Sequence, residues 1–358
     1  MKTIYSYGDE SGKAFLLKKG TVHIEITKDE KIPLPGENLI VGAIEPLLEK
    51  KQKKKVPRIF SFYSDEDTDV APVAVSVLHS LIPKFHIGFN LCFFLATTVK
   101  LTNEKYKKRI ENKDKEQKEY NQNAVKYFTA LSEIDGLAQK LRFPDLITLT
   151  AELRNELIYE TGKILKQQEK TLFQITGDNQ ASNMLNENTV LCKEKEEGDE
   201  LFILEQGTIS VKIGDNEVAQ IKEPGTVIGE MALFLGEVRT ATLATLTKCR
   251  ITKLKKADLE SFCSTNKEFF PHIAQTLAGR INNNFVLIRA FDQQYAEEPH
   301  TVKESDKRPD FLKKKPGEDK LSNLFKSVSK LQKKKQFPQL KDFMTKYKSE
   351  IEHFEKNG

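Results

Sequence analysis

The sequence predicts an α+β protein: two small β-jelly-roll units with flanking helices, joined by a helical connector. Three observations predict it. Short alternating strands separated by Gly- and Pro-bearing turns fill much of 181–255. A stretch near 113–180 places apolar residues three and four apart, the spacing of a helix face. The strand pattern of the later region also recurs near the N-terminus.

The elements follow in order. Residues 1–112 begin with strand-like runs and end in an apolar helix followed by a charged one. The longest apolar stretch, IGFNLCFFLATTV at 87–99, is shorter than a membrane span and reads as a buried helix. Residues 113–180 form the connector, with AVKYFTALSEIDGLAQKL and DLITLTAELRNELIYETGKILKQQ as its two periodic runs and a break at Pro144 before Asp145. Residues 181–295 are strands and then helix from Lys256. ELFILEQGTISVKI reads as two strands turning at Gly207, GDNEVAQI opens another hairpin, and Pro224-Gly225 is a tight turn. RTATLATLTKCRITKL is a long β-branched run. Many short strands between Gly turns suggest a sandwich or jelly roll. Residues 296–358 are rich in Lys and Glu and read as a charged tail, partly helical or disordered. Within it KLSNLFKSVSKLQKK and FPQLKDFMTKYKSEIEHF have apolar residues at helical spacing, suited to a partner or to docking back on the body.

Composition narrows the function. The 358 residues, 38% hydrophobic and 30% charged, can fill two or three cores. A net charge of +5 is modest for this length and says little about nucleic acid. The N-terminal MKTIYSYGDESGKAF lacks the apolar core of a signal peptide. Cys92, Cys192, Cys249 and Cys263 are scattered without a C-x-x-C, the pattern of reduced thiols in a cytoplasmic protein. The six histidines are dispersed as well, so no metal site is expected. His-x-His ligands of a metal-dependent jelly-roll enzyme are missing, as are G-x-S-x-G, Walker A and kinase signatures. The lysine runs at 52–55 and 332–335 suit solvated loops or an anionic surface.

The repeat sets FLLKKGTVHIEI (15–26) over FILEQGTISVKI (202–213), and PLPGENLIVGAIEPLL over KEPGTVIGEMALFL. Two copies of one β-plus-helix unit explain the ordered recurrence better than two unrelated hairpins. With Gly42 on Gly229, Ala43 falls at the place of Glu230. Arg58 could stand near Arg239, but its spacing differs and the Thr-Ala-Thr context is gone. Ligand chemistry is therefore expected in the later copy alone.

In that copy GEMALFLGEVRTATLAT sets a carboxylate, Glu230, nine residues before a guanidinium, Arg239, among mostly small and apolar residues. From residue types alone they are either a hairpin ion pair, worth about 0–1 kcal/mol at a surface, or two groups that await a ligand. The stretch 186–291 resembles the cyclic nucleotide-binding domain of the catabolite-activator and kinase-regulatory-subunit type. The phosphate-binding cassette of that family reads roughly F-G-E-x-A-L, five residues, then R-[AST]-A-[TS]. Here it reads Ile228-Gly229-Glu230-Met231-Ala232-Leu233, then Arg239-Thr240-Ala241-Thr242, with Ile228 for the usual aromatic.

The resemblance implies two cyclic-nucleotide-binding-type jelly rolls, the first degenerate. It implies a ligand, cAMP or cGMP, rather than a catalytic cofactor. Arg239 would pair with the phosphate through its forked donors, aided by the amides of Met231 and Ala232. Ala232 would leave room for the phosphate, Glu230 would accept from the ribose hydroxyl, and Gly229 would permit the turn that presents it. Thr240, beside Ala241, bears on the base, with a slight lean to cAMP. Phe285, Phe291 or Tyr295 could cap the purine. The implied molecule is a cytoplasmic, non-enzymatic receptor with no catalytic residues. It would signal through repositioned helices to an unknown protein partner, in an oligomeric state left open. No helix-turn-helix follows the last domain helix, which argues against a transcription factor, and no membrane span is expected. The alternative is a protein-interaction scaffold with degenerate folds that binds no nucleotide.

Overall fold

The computed structural model describes residues 1–111, 113–167, 170–175, 181–296, 317–335 and 338–356. The chain divides into two compact units, Met1–Asn103 with Glu169–Asn282, and Glu104–Gln168 with Asn283–Gly358.

The first unit opens with strands β1 (Lys2–Tyr5), β2 (Lys13–Thr27), β3 (Glu30–Val41), helix α1 (Ile44–Gln52), β4 (Phe62–Ser64), β5 (Asp69–Ala74), and helices α2 (Val75–Leu81) and α3 (Phe85–Ile110). The strands form one sheet in the order β1-β4-β2-β3, with β5 also paired to β2. The first half of β2 pairs with β5, Lys13↔Ala74 to Lys19↔Asp69. Its second half pairs with β4, Val22↔Ser64 to Ile24↔Phe62. Alternate side chains Val22, Ile24, Ile32 and Leu34 are buried, as the period of a strand dictates.

The later part of this unit comprises β6 (Ser182–Leu185), β7 (Val190–Cys192), β8 (Glu200–Gln206), β9 (Ile209–Ile213), β10 (Asn216–Ile221), β11 (Val227–Ile228), helix α7 (Glu230–Leu235), β12 (Thr242–Thr245) and β13 (Cys249–Lys255). Two helices follow, α8 (Leu259–Thr265) and α9 (Phe269–Ala296). Here the strands form two four-stranded sheets, β10-β9-β12-β7 and β11-β8-β13-β6. Phe202, Leu204, Ile209, Leu243 and Ile251 pack together as their core. This is the jelly roll that the Gly-punctuated pattern predicts. The chain changes sheets at Gly207, whose φ of 103° an L side chain rarely adopts.

A second jelly roll is not confirmed in the N-terminal region. There the chain does not leave the sheet at Gly20: Lys19↔Glu37, Gly20↔Gly36 and Thr21↔Pro35 continue the β2–β3 ladder without a break. Residues that belong to two sheets after β8 thus lie in one sheet along β2.

The apolar stretch at 87–99 lies in α3, which is longer than expected. Leu91, Cys92, Leu95 and Ala96 are fully buried. By length and composition alone α3 could cross a membrane, but 50% of its most apolar window is buried inside the protein. In the first unit the Phe85 ring lies 5.9 Å from that of Phe270 on α9.

The second unit is helical. It contains α4 (Asp114–Leu141), α5 (Pro144–Leu153), α6 (Leu157–Lys166), α10 (Glu318–Lys335), α11 (Pro338–Lys346) and α12 (Lys348–Lys356), with the final parts of α3 and α9. Pro144 opens α5, where its missing N–H costs nothing. At Gly162 a Cβ would lie 1.9 Å from the Ala124 carbonyl oxygen, so glycine lets α6 approach α4. The apolar faces of the charged tail do dock back. Leu321, Leu324, Phe325, Val328, Leu340, Phe343 and Ile351 share a core with Tyr120, Ala124, Tyr127 and Leu131. The part of the expected tail at 297–316 lies outside the described residues. The 332–335 lysine run ends α10.

Candidate functional site

The site grows from the turn between β11 and α7. Gly229 caps α7 with φ 84° and ψ 10°. A Cβ there would lie 2.4 Å from Arg239 Nη1, so the glycine serves both the turn and the arginine. Glu230 is the first residue of the helix, and Gly236 ends it with φ 65°. The chain then returns to the sheet with Arg239, whose backbone is fixed on both sides. Its N–H donates to the Glu196 carbonyl at 2.7 Å, and its carbonyl accepts from the Lys195 N–H at 2.8 Å.

The Arg239 side chain is buried, with 4% exposed. Its Nη1 donates to the Gly229 carbonyl at 3.2 Å and its Nη2 to the Glu200 carbonyl at 2.6 Å. The guanidinium sits 5.5 Å from the centre of the Phe202 ring. Its Nε is buried with no hydrogen-bond partner among the described residues. Among the described residues no carboxylate forms an ion pair with it. A buried cation held only by carbonyl dipoles and a ring face is under-compensated, since removing a charge from water costs several kcal/mol in a real protein.

Glu230 and Arg239 are not each other's partners. Glu230, 4% exposed, accepts a hydrogen bond from Arg280 Nη1 on α9 at 2.6 Å. Sequence reasoning gave Arg280 no role. It lies fifty residues from Glu230, so no local spacing links them, and only the path of α9 past the cassette does.

The other expected site residues fall around this pair. Met231 and Ala241 are half-buried, Ala232 is buried and Thr240 is exposed. Thr242 fixes the entry to β12 by accepting the Glu194 N–H on its hydroxyl at 3.0 Å. Behind the site, the buried Phe234 of α7 meets the Phe89 ring of α3 at 5.3 Å and the Phe270 ring of α9 at 6.5 Å. Glu237 pairs with Lys100 of α3. The cassette helix is therefore anchored to two long helices. Phe285, Phe291 and Tyr295 belong to the helical unit, where both phenylalanines are buried and the rings of Phe291 and Tyr295 lie 4.5 Å apart.

The four cysteines are free and buried. Burial pushes the Cys192 thiol up, with Arg239 pulling it partly back. Burial likewise raises Cys92 and takes Cys263 to about 12. Such thiols are poor nucleophiles at neutral pH.

A jelly roll with a short capped helix beside a buried arginine that has no carboxylate partner among the described residues has the chemistry to receive an anion. Residues 183–266 match the family model of the cyclic nucleotide-binding domain, and this segment is such a domain. It is 38% identical over 79 residues to a cyclic nucleotide-gated potassium channel of Mesorhizobium japonicum, covering 22% of this chain and 21% of the channel. A second such channel, from Rhizobium etli, is 32% identical over 88 residues, covering 25% of this chain and 23% of the channel. The chain thus spans less than a quarter of the length of either channel. The solved regulatory domain of Toxoplasma gondii PKA with cAMP aligns over 75% of this chain and 79% of its own at 15% identity, with a TM-score of 0.22, too low to add an argument.

Proposed function

We propose that the chain is a non-enzymatic receptor for a cyclic nucleotide, cAMP or cGMP, bound by Gly229, Glu230, Met231, Ala232, Arg239, Thr240 and Ala241. The observation that carries this reading is the buried Arg239 guanidinium, held by the Gly229 and Glu200 carbonyls and without a carboxylate partner among the described residues. A cyclic phosphodiester brings the one negative charge that this cation lacks, with oxygens that match forked donors. Glu230 would accept from the ribose 2′-hydroxyl. An ionised carboxylate has about four lone-pair sites, so it can do this while keeping Arg280. The small side chain of Ala232 would keep the approach open, and Thr240, exposed beside Arg239, would bear on the choice of base.

Signalling would follow from what the cassette touches. A ligand that draws in α7 acts on α9 through Glu230–Arg280 and on α3 through Phe234. It shifts the helices only to the extent that it binds one arrangement more tightly than the other. The recipient would be a protein partner in the same compartment, the cytoplasm, where four free cysteines stay reduced. The cyclic nucleotide-gated channels matched over this domain offer a precedent for a nucleotide-responsive regulator.

Calorimetry with cAMP and with cGMP tests the reading. The wild type should bind one or both. Arg239→Ala should weaken binding by about ten- to a hundred-fold, the equivalent of one charge-assisted bond of roughly 1.5–3 kcal/mol. Equal, negligible heats from both proteins would sink the receptor reading and favour the nucleotide-independent scaffold.

A further inference from the structure

We propose that the N-terminal sheet carries a second copy of the Arg239 site that is permanently occupied by the protein's own carboxylate: Glu45 stands on Arg58 where a ligand phosphate would stand on Arg239. The correspondence begins with register. A constant displacement of 187 residues carries Lys13 onto Glu200, Phe15 onto Phe202, Gly20 onto Gly207 and Gly42 onto Gly229. Along β2 and β3 the pairings follow the same displacement, and the partners beyond α1 follow one of 181. Phe15↔Val41 matches Phe202↔Ile228. Lys13↔Ala74 matches Glu200↔Lys255. Ile24↔Phe62 matches Val211↔Leu243. Counting back four residues from Phe62 gives Arg58, and four from Leu243 gives Arg239.

Spacing along the chain hides this. Arg58 is 16 residues beyond Gly42, whereas Arg239 is 10 beyond Gly229. Four of the six extra residues fall before the end of the helix, Gln52 in place of Leu235, two fall between the helix and the arginine, and the ladder absorbs them.

The two guanidiniums make the same backbone bonds. Arg58 Nη1 donates to the Gly42 carbonyl at 2.8 Å, as Arg239 Nη1 does to Gly229. Arg58 Nη2 donates to the Lys13 carbonyl, as Arg239 Nη2 does to Glu200. Each has a buried Nε with no hydrogen-bond partner among the described residues. Each also lies over an aromatic ring, Tyr5 at 4.0 Å for Arg58 and Phe202 for Arg239.

The copies part at the anion. Ala43 replaces Glu230, and Glu45 replaces Ala232, so the carboxylate has moved two residues along the helix. From there Glu45 Oε2 accepts from Arg58 Nη1 at 2.8 Å, and its Oε1 accepts from the Ile59 N–H at 3.1 Å. It is fully buried. A carboxylate carries the same single negative charge as a cyclic phosphodiester. Here it uses the guanidinium and the N–H that follows the arginine, from the position that Ala232 holds in the other copy. Burial raises the Glu45 carboxyl above its ordinary range, and Arg58 pulls it back. The consequence is one nucleotide per chain, with the first copy closed whatever the ligand concentration. Only the identity of the second site's ligand rests on the receptor reading.

Anion rescue in the full-length chain tests the proposal, with Arg239→Ala throughout to silence the other site. Glu45→Ala leaves Arg58 buried and unpaired, so its melting temperature should fall. Sodium acetate or phosphate should raise it again, saturably, above sodium chloride of equal ionic strength at pH 7.5. Glu45→Gln, whose amide still fills the place, should show no such rescue, and neither should Glu45→Ala/Arg58→Met. If Glu45→Ala does not fold unaided, its refolding yield from urea in acetate against chloride gives the same reading. Anions that rescue Glu45→Ala no better than Glu45→Ala/Arg58→Met, by melting or by refolding, overturn the proposal. So does a wild-type stoichiometry of two cyclic nucleotides per chain. A stoichiometry of zero with rescue intact would instead overturn the receptor reading and leave the self-occupied site standing.

Discussion

At Gly229 and Arg280, single side chains decide whether the cassette can hold its charges. Gly229→Ala puts a Cβ at a φ of 84° and 2.4 Å from Arg239 Nη1. Strain in that region costs of order 1–3 kcal/mol, and the arginine must also move. The variant should melt lower and bind cyclic nucleotide more weakly, with both changes reduced when Arg239 is replaced as well. A double-mutant cycle measures that coupling. Arg280→Met leaves Glu230 buried without its cation. The pair is 27% exposed at Arg280 and 5% at Glu230, so the loss should be smaller than for a fully buried pair. We expect nucleotide affinity to fall by about tenfold, the equivalent of about 1.4 kcal/mol, while Arg280→Lys recovers part of it. Unchanged affinity in Arg280→Met would remove Glu230–Arg280 from the binding machinery. At this scale the sequence carried the cassette residues, because their spacing is local. It carried neither Arg280 nor the equivalence of Arg58 with Arg239, since one depends on the path of a distant helix and the other on register.

Among the elements, α7 has only six residues and cannot hold its position through its own hydrogen bonds. It is held from behind by Phe234 against Phe89 and Phe270. Phe234→Ala opens a cavity in that contact, and a buried Phe→Ala change costs about 3–5 kcal/mol. The expected outcome is lower thermal stability and faster hydrogen exchange in α7. Exchange that accelerates only in α3 would place the anchor elsewhere. Elements were legible where the period was clean: the turn at Gly207, the start of α5 at Pro144 and the amphipathic tail helices all follow from it. The N-terminal region was less so. Its strand residues were recognised, but whether Gly20 turns the chain into a second sheet depends on the continued ladder with Glu37 to Pro35, and no pattern within β2 states that.

The whole molecule joins a nucleotide-binding unit to a helical unit, and α9 contributes residues to both. Composition made the last sixty residues look like a solvated tail, because charged residues outnumber apolar ones there. The few apolar positions, Leu321, Leu324, Phe325 and Val328, nevertheless lie on one helix face and complete the core with α4. If α9 carries the signal, coupling must be reciprocal: what the ligand does to the helical unit, the helical unit does to ligand affinity. Phe325→Ala tests this far from Glu230 and Arg239 in sequence. The side chain is 2% exposed, so its loss should destabilise the helical unit by about 3–5 kcal/mol. Coupling free energies between sites run to about 1–3 kcal/mol, so nucleotide affinity should change by about fivefold or more, read by calorimetry on folded protein well below its melting temperature. A variant that melts lower yet binds cAMP and cGMP as the wild type does would show that the helical unit does not sense the ligand, and the signal would then have to leave the nucleotide-binding unit by another surface.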